Sequence, residues 1–183
     1  MKSTLRKKYL DLRSREEHHE DKSLKICHGL IEYVKEQKPG KVFSFSSYGS
    51  EVDLNSFHDY LHNEGLSVFL PRITSRKGEM EFRIWKRTDK LSKNSYGILE
   101  PVVTAEVAAP DSDSLIVVPA LSVDKKGVRL GYGGGFYDRY ISNHSNKQLI
   151  VPIFQNQITE VLPHDDHDIL VDMAITELGL LNF

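Results

Sequence analysis

Apolar positions along the chain fall into two alternating rhythms, one helical and one of period two. Leu5, Tyr9 and Leu12 recur at near-helical spacing, and Leu24, Cys27, Leu30, Ile31 and Val34 continue it over a longer stretch. Two helices are therefore predicted ahead of the Pro39-Gly40 stop. Ser14 followed by Glu17 has the spacing of a capping box and is expected to open the second of them. "KVFSFSS", starting at Lys41, changes to apolar-small alternation and reads as a strand. Asp53 is then placed to cap a helix through Phe57, Tyr60 and Leu61 that ends at Gly65. "LSVFLP" and "MEFRIW" read as further strands, and the unbroken apolar run "LIVVPAL" as a strand buried on both faces. Beyond a glycine cluster, "FYDRYISNH" predicts a helix, "QLIVPIF" a strand, "ITEVL" a short helical turn and "VDMAITE" a final strand. The longest irregular stretch is about residues 87–114.

Strands that alternate with helices predict an α/β fold, a mostly parallel sheet covered on both faces. Ligands in such sheets sit at the carboxyl ends of strands, which directs attention to the loops after "KVFSF" and "LIVVP". The 183 residues suffice for one well-filled core and not for two ordinary domains, so a single domain over 1–183 is expected. A net charge of -2 gives no global attraction to nucleic acid or an anionic membrane, so any anion site must be local. Cys27 is the only cysteine, which excludes an intramolecular disulfide, and no apolar run approaches the roughly 20 residues a bilayer span needs. A reduced, cytoplasmic, monomeric protein is expected. The basic N-terminus runs straight into Glu16, Glu17, Glu20 and Asp21, against the acid-poor composition of a transit peptide.

"RLGYGGGFYDRY", from Arg129 to Tyr140, is not explained by core packing. Gly131, Gly133, Gly134 and Gly135 let backbone N–H groups turn toward an anion at the start of the following helix. The loop is neither a P-loop, having no Gly-Lys-Ser/Thr, nor a dinucleotide fingerprint, because Phe136 stands where the last glycine belongs. A flexible turn is the competing reading. Arg129 adds a cation for phosphate oxygens and Asp138 a hard oxygen ligand for magnesium, although Asp138 also suits a helix's first turn. Tyr137 is equally readable as core. Lys2, Arg6 and Arg13 fall near one face of the first helix, where cations in the opening turn work against the helix dipole; phosphate is one reason to hold them there and a solvated basic face the other. Glu51 follows a strand end in "SSYGSEVD" and is placed either to face a ligand or to bias the next helix. Arg72, in "FLPR", is exposed or ligand-facing. "HDDHD", from His164 to Asp168, resembles a metal cluster but lacks the helical spacing of a zinc site.

Taken together, Lys2-x-x-x-Arg6, "SSYGSEVD", "FLPR", "YGILEP", "LIVVPAL" and, above all, "RLGYGGGFYDRY" resemble the 5-formyltetrahydrofolate cyclo-ligase family, also called 5,10-methenyltetrahydrofolate synthetase, nearly end to end. The resemblance implies a three-layer Rossmann-like fold. It also implies an ATP- and Mg2+-dependent closure of 5-formyltetrahydrofolate to 5,10-methenyltetrahydrofolate, with release of ADP and phosphate, through a phosphorylated imidate. By that likeness Lys2, Arg6 and the loop Arg129, Leu130, Gly131, Tyr132, Gly133, Gly134, Gly135, Phe136 and Tyr137 bind ATP. Ser46, Glu51 and Tyr132 to Phe136 contact folate, Asp138 binds the metal with Asp165 or Asp168 as its second contact, and Arg129, Tyr137 and Asp138 are the candidate catalytic residues. Leu54, where the family usually has threonine, and "VPIF" before Gln157 depart from the pattern. A weakly catalytic folate or nucleotide-binding protein of the same fold is the alternative. A phosphosugar isomerase or CoA-transferase relative would need a glutamate or lysine nucleophile motif that is not found.

Overall fold

The structure, a computed structural model, describes residues 1–75, 78–144, 148–165 and 167–183. Eight strands form the central sheet: β1 (Lys41–Phe43), β2 (Ser67–Ser75), β3 (Glu79–Trp85), β4 (Val107–Ala108), β5 (Ser114–Val117), β6 (Gln148–Pro152), β7 (Met173–Thr176) and β8 (Gly179–Asn182). Their order across the sheet is β8-β7-β6-β5-β1-β2-β3-β4. The five inner strands from β7 to β2 are parallel, and antiparallel pairs close both edges. All four residues of β5 are buried, as expected of a strand covered on both faces.

Helices α2 (His19–Gln37) and α3 (Asn55–Asn63) pack on one face, where Ile26, Leu30, Phe57 and Leu61 meet Val42, Val68, Leu115 and Ile150. Helix α4 (Phe136–Ser142) covers the other, with Ile141 against Phe43, Phe82, Ile116 and Val151. These are the three layers of the expected α/β architecture. Helix α1 (Lys2–Ser14) lies outside them, its Tyr9 clustered with Leu121, Val128, Leu130 and Leu162 on a small sheet of Ser122–Asp124, Arg129–Leu130 and Ile158–Thr159.

Four sequence expectations require correction. Ser14 is the last residue of α1 and donates its hydroxyl to the Asp11 carbonyl at 2.8 Å, satisfying a helix-end acceptor; α2 instead starts after His18 in a left-handed conformation, with no side-chain cap. Asp53 accepts the Asn55 N–H at 2.9 Å, but the N-cap position itself is Leu54. "ITEVL" is not helical: the helical turn lies earlier, at Gln155–Gln157, and β-branched Ile158 and Thr159 pair in parallel with Val123 and Asp124. The chain also continues past β7 through Gly179, at φ 129°, into the antiparallel edge strand β8.

His58 on α3 is buried against β1, its Nε2 2.8 Å from Ser44 Oγ. Burial first, then the charges of His62 and Arg87, push its pKa down to about 3. The imidazole is thus neutral in the folded state while the unfolded chain takes up a proton below about 6.5. The unfolded state binds more protons in that window, so stability falls as pH drops from about 6.5 toward 3. His58→Gln is expected to flatten this part of a Tm-against-pH curve; an unchanged slope would assign the acid sensitivity to other groups.

Candidate functional site

Chain order runs from β1 to β2 on one side of the sheet and from β5 through β6 to β7 on the other, so the topology reverses between β1 and β5. A cavity of about 840 Å³ opens there, at the carboxyl ends of these strands, a size suited to small-molecule ligands. Phe45, Ser46, Tyr48 and Glu51 reach it from the loop after β1, and Pro119 from the segment after β5. The glycine loop from Arg129 to Gly135 and the first turn of α4 form another wall. The residues that the family resemblance assigns to the site line this one cavity: Lys2, Arg6, Ser46, Glu51, the whole run from Arg129 to Asp138, Asp165 and Asp168; Arg13 and Arg72, the other two cations singled out from sequence, do not.

One end is strongly charged. Lys2 Nζ lies 2.8 Å from Asp165 Oδ2 and 2.5 Å from Asp168 Oδ2, and the Asp165 N–H also donates to Asp168. Burial alone would raise the Asp168 pKa, but the bond from Lys2 and the Asp165 N–H hold it below the usual carboxylate range. Arg6 Nε donates to the Gly131 carbonyl at 3.0 Å. Arg129, almost entirely buried, donates to Asp138 Oδ1 at 2.8 Å and to the Pro119 carbonyl at 3.1 Å. The Ile169 N–H also donates to Asp138 Oδ1, at 3.3 Å, which brings Asp138 beside the Asp165–Asp168 segment. Among the described residues Asp138 Oδ2 has no partner. Ligand atoms of Asp165, His167 and Asp168 lie within 4.8 Å of one another, while Asp166 of the same motif lies outside the described residues.

A second group of residues centres on Glu51, which is only 7% exposed. Its Oε1 accepts the Tyr132 hydroxyl at 2.5 Å and its Oε2 the Tyr48 N–H at 2.8 Å, with Arg13 3.9 Å away. Burial raises the carboxyl's pKa, and Tyr132, Arg13 and the Tyr48 N–H oppose that rise. Two buried hydroxyls on the cavity wall, Ser46 Oγ and Tyr137 Oη, have no hydrogen-bond partner among the described residues. Burial, followed by the charge of Glu51, pushes the Tyr137 phenol well above its ordinary pKa, so it remains protonated. An unpaired buried hydroxyl calls for a partner, and a ligand in the cavity would supply one.

Between these groups the glycine loop requires its glycines at specific places. Gly133 has φ 99°, and a Cβ there would stand 2.9 Å from the Arg6 guanidinium carbon; Gly135 has φ 66° at the start of α4. The remaining wall, with Pro71, Ile73, Met80, Tyr96 and Ile98, is mostly apolar; "FLPR" and "YGILEP" carry Pro71, Tyr96 and Ile98, but their meeting in one wall is not written in the sequence, because it is assembled from β2, β3 and the irregular stretch. Arg72 does not face the cavity: it pairs with buried Glu100 at 3.1 Å and donates to the Pro101 carbonyl at 2.7 Å, fastening that wall. Leu54 is fully buried core, with its N–H on Ser47 Oγ, so its departure from the family pattern leaves the cavity lining intact. Arg13, recognised from sequence only as a third cation on the helix face, lies buried behind Glu51.

Residues 1–177 match the model of the 5-formyltetrahydrofolate cyclo-ligase family. The 5-formyltetrahydrofolate cyclo-ligase of Haemophilus influenzae is 26% identical over 181 residues, covering 96% of this chain and 95% of that protein. The Escherichia coli K12 protein of the same name is 30% identical over 136 residues, 72% of this chain and 75% of its own. The structure of Aquifex aeolicus 5,10-methenyltetrahydrofolate synthetase superposes with a TM-score of 0.84 at 30% identity, covering 99% of this chain and 92% of that one.

Proposed function

The chain belongs to the 5-formyltetrahydrofolate cyclo-ligase family and is an enzyme of that class, and from that premise we propose that it closes 5-formyltetrahydrofolate to 5,10-methenyltetrahydrofolate with consumption of ATP and Mg2+. The observation that carries the proposal is the meeting, in one cavity at the sheet's reversal point, of a cationic end, a buried carboxylate and a bare glycine loop between them. Lys2, Arg6 and Arg129 suit a phosphate chain laid along the loop's N–H groups. Glu51 suits the N–H edge of a pterin, and the hydroxyls of Ser46 and Tyr137 offer the folate further polar contacts.

In this reading the formyl oxygen attacks the γ-phosphate and displaces ADP. Nitrogen 10 then attacks the activated carbon and gives up its proton, and phosphate leaves as the ring closes. An amide oxygen is a poor leaving group until it is phosphorylated, so the protein's share is positioning and charge neutralisation. Asp138 Oδ2, with Asp165 or Asp168, fits Mg2+, which binds through one or two carboxylates plus substrate phosphates. Bound there, Mg2+ would neutralise charge on the phosphate oxygens. Lys2 would then exchange its aspartate partners for a phosphate.

The test is the ultraviolet absorbance of the conjugated methenyl product on mixing protein, 5-formyltetrahydrofolate, ATP and Mg2+. A rise that needs both ATP and Mg2+ is expected; folate binding without turnover would favour a binding protein instead. Gly133→Ala bears on the ATP half. Its side chain meets an unfavourable φ and the Arg6 guanidinium, so the Michaelis constant for ATP is expected to rise about tenfold, equivalent to roughly 1.4 kcal/mol. Because the loop is outside the core, Tm should move by only a few degrees. Unchanged ATP kinetics would remove the loop from the nucleotide site.

A further inference from the structure

Arg13 does not line the cavity, yet it is 3% exposed and joins four separate parts of the molecule. Its Nε donates to Ser50 Oγ at 3.1 Å in the loop after β1, and its Nη1 reaches the Ala120 carbonyl at 3.5 Å in the segment after β5. The guanidinium carbon lies 5.6 Å from the centre of the Tyr132 ring in the glycine loop, and Nη1 lies 3.9 Å from Glu51 Oε1. The residue itself lies in the last turn of α1, the helix that brings Lys2 and Arg6 to the other end of the site.

We propose that Arg13 is a positioning residue for the folate half-site, a buried cation that holds Glu51 ionised and turned toward the ligand. The inference rests on the functional reading above. An arginine stays charged even when buried, so the interior must supply it with an anion or pay heavily. Among the described residues, Glu51 is the carboxylate in reach. The dependence is mutual, because Glu51 loses its hydration on burial and needs a nearby positive charge to remain a carboxylate. The other groups facing Glu51 do not replace that charge: Tyr132 and Tyr137 present phenols from the glycine loop and α4, and His19 of α2 contacts only its backbone carbonyl, at 3.0 Å. The fork to Ser50 and Ala120 fixes the angle from which Arg13 acts, and a lysine cannot reproduce it.

The experiment is a double-mutant cycle of Arg13→Gln and Glu51→Gln, with Arg13→Lys alongside, reading kcat, both Michaelis constants, the pH profile and Tm. Arg13→Gln is expected to raise the Michaelis constant for 5-formyltetrahydrofolate about tenfold, to leave that for ATP within about threefold, and to move the acidic limb of kcat/KM for folate to higher pH. The double variant should fall within about threefold of Glu51→Gln alone. Arg13→Lys should keep the acidic limb near its original position while raising the folate constant several-fold, and it provides the test if Arg13→Gln does not fold. Multiplicative losses in the double variant, equal effects on ATP and folate, or an unaltered folate constant in Arg13→Lys would overturn the proposal. If the unmodified chain neither turns over nor binds 5-formyltetrahydrofolate, the functional reading fails and this proposal with it; turnover by the unmodified chain with any of those three outcomes removes only the role of Arg13.

Discussion

Asp138→Asn is expected to lower kcat at least a hundredfold, on the order of 3 kcal/mol of barrier, in a protein that remains folded. Asparagine is close in shape to aspartate and still offers Oδ1 to Arg129 and to the Ile169 N–H, so the packing at the start of α4 survives. What disappears is the negative charge and the hard oxygen at Oδ2, on which Mg2+ binding depends in the proposed site. Asp138→Ala goes further: the Arg129 side chain is 5% exposed and would lose its carboxylate partner, an uncompensated buried charge that costs roughly 3–5 kcal/mol in stability. A loss of rate common to both variants, with a Tm drop confined to alanine, would separate chemistry from folding. The Mg2+ dependence of the initial rate decides the assignment. Weakened metal dependence in Asp138→Asn fits the metal role, whereas an unchanged rate at limiting Mg2+ would remove Asp138 from the metal site.

The legible parts of this protein are those whose cause is local. Apolar period and turn residues mark the inner strands and α2 to α4, because burial on one or two faces writes itself directly into a short run of sequence. The glycine loop is legible for a similar reason: no packing requirement calls for four glycines beside Arg129 and Asp138. Other features depend on partners distant in the chain. Ile158 and Thr159 become strand because Val123 and Asp124 offer them an edge, and Ser14 caps the end of α1 rather than the start of α2 because its hydroxyl already has Asp11. Arg13 is the extreme case. An arginine on a helix surface reads as solvated, and its burial is set by Ser50, Ala120, Glu51 and Tyr132, which no spacing rule places together. The apolar wall of the cavity is hidden for the same reason, since Pro71, Met80 and Ile98 come from three different segments.

Glu51→Gln separates the two halves of the cavity. In the chain as it stands, Glu51 Oε2 accepts the Tyr48 N–H and Oε1 the Tyr132 hydroxyl, so a ligand offering N–H groups must exchange with the phenol for the same carboxylate. Glutamine preserves the shape but not the charge, and hydrogen bonds to an ionised group contribute about 1.5–3 kcal/mol. The Michaelis constant for 5-formyltetrahydrofolate is accordingly expected to rise about 10- to 100-fold, with that for ATP within about threefold, since Lys2, Arg6 and Arg129 do not touch Glu51. The pH profile gives an independent check. Burial holds the Glu51 pKa above its ordinary value, so as pH falls through that raised pKa the carboxylate takes a proton and folate capture weakens. Glutamine has no proton to gain, and the acidic limb of kcat/KM for folate should disappear while the limb for ATP persists. Equal losses for both substrates, or an acidic limb that survives the substitution, would place the pterin contact elsewhere in the cavity.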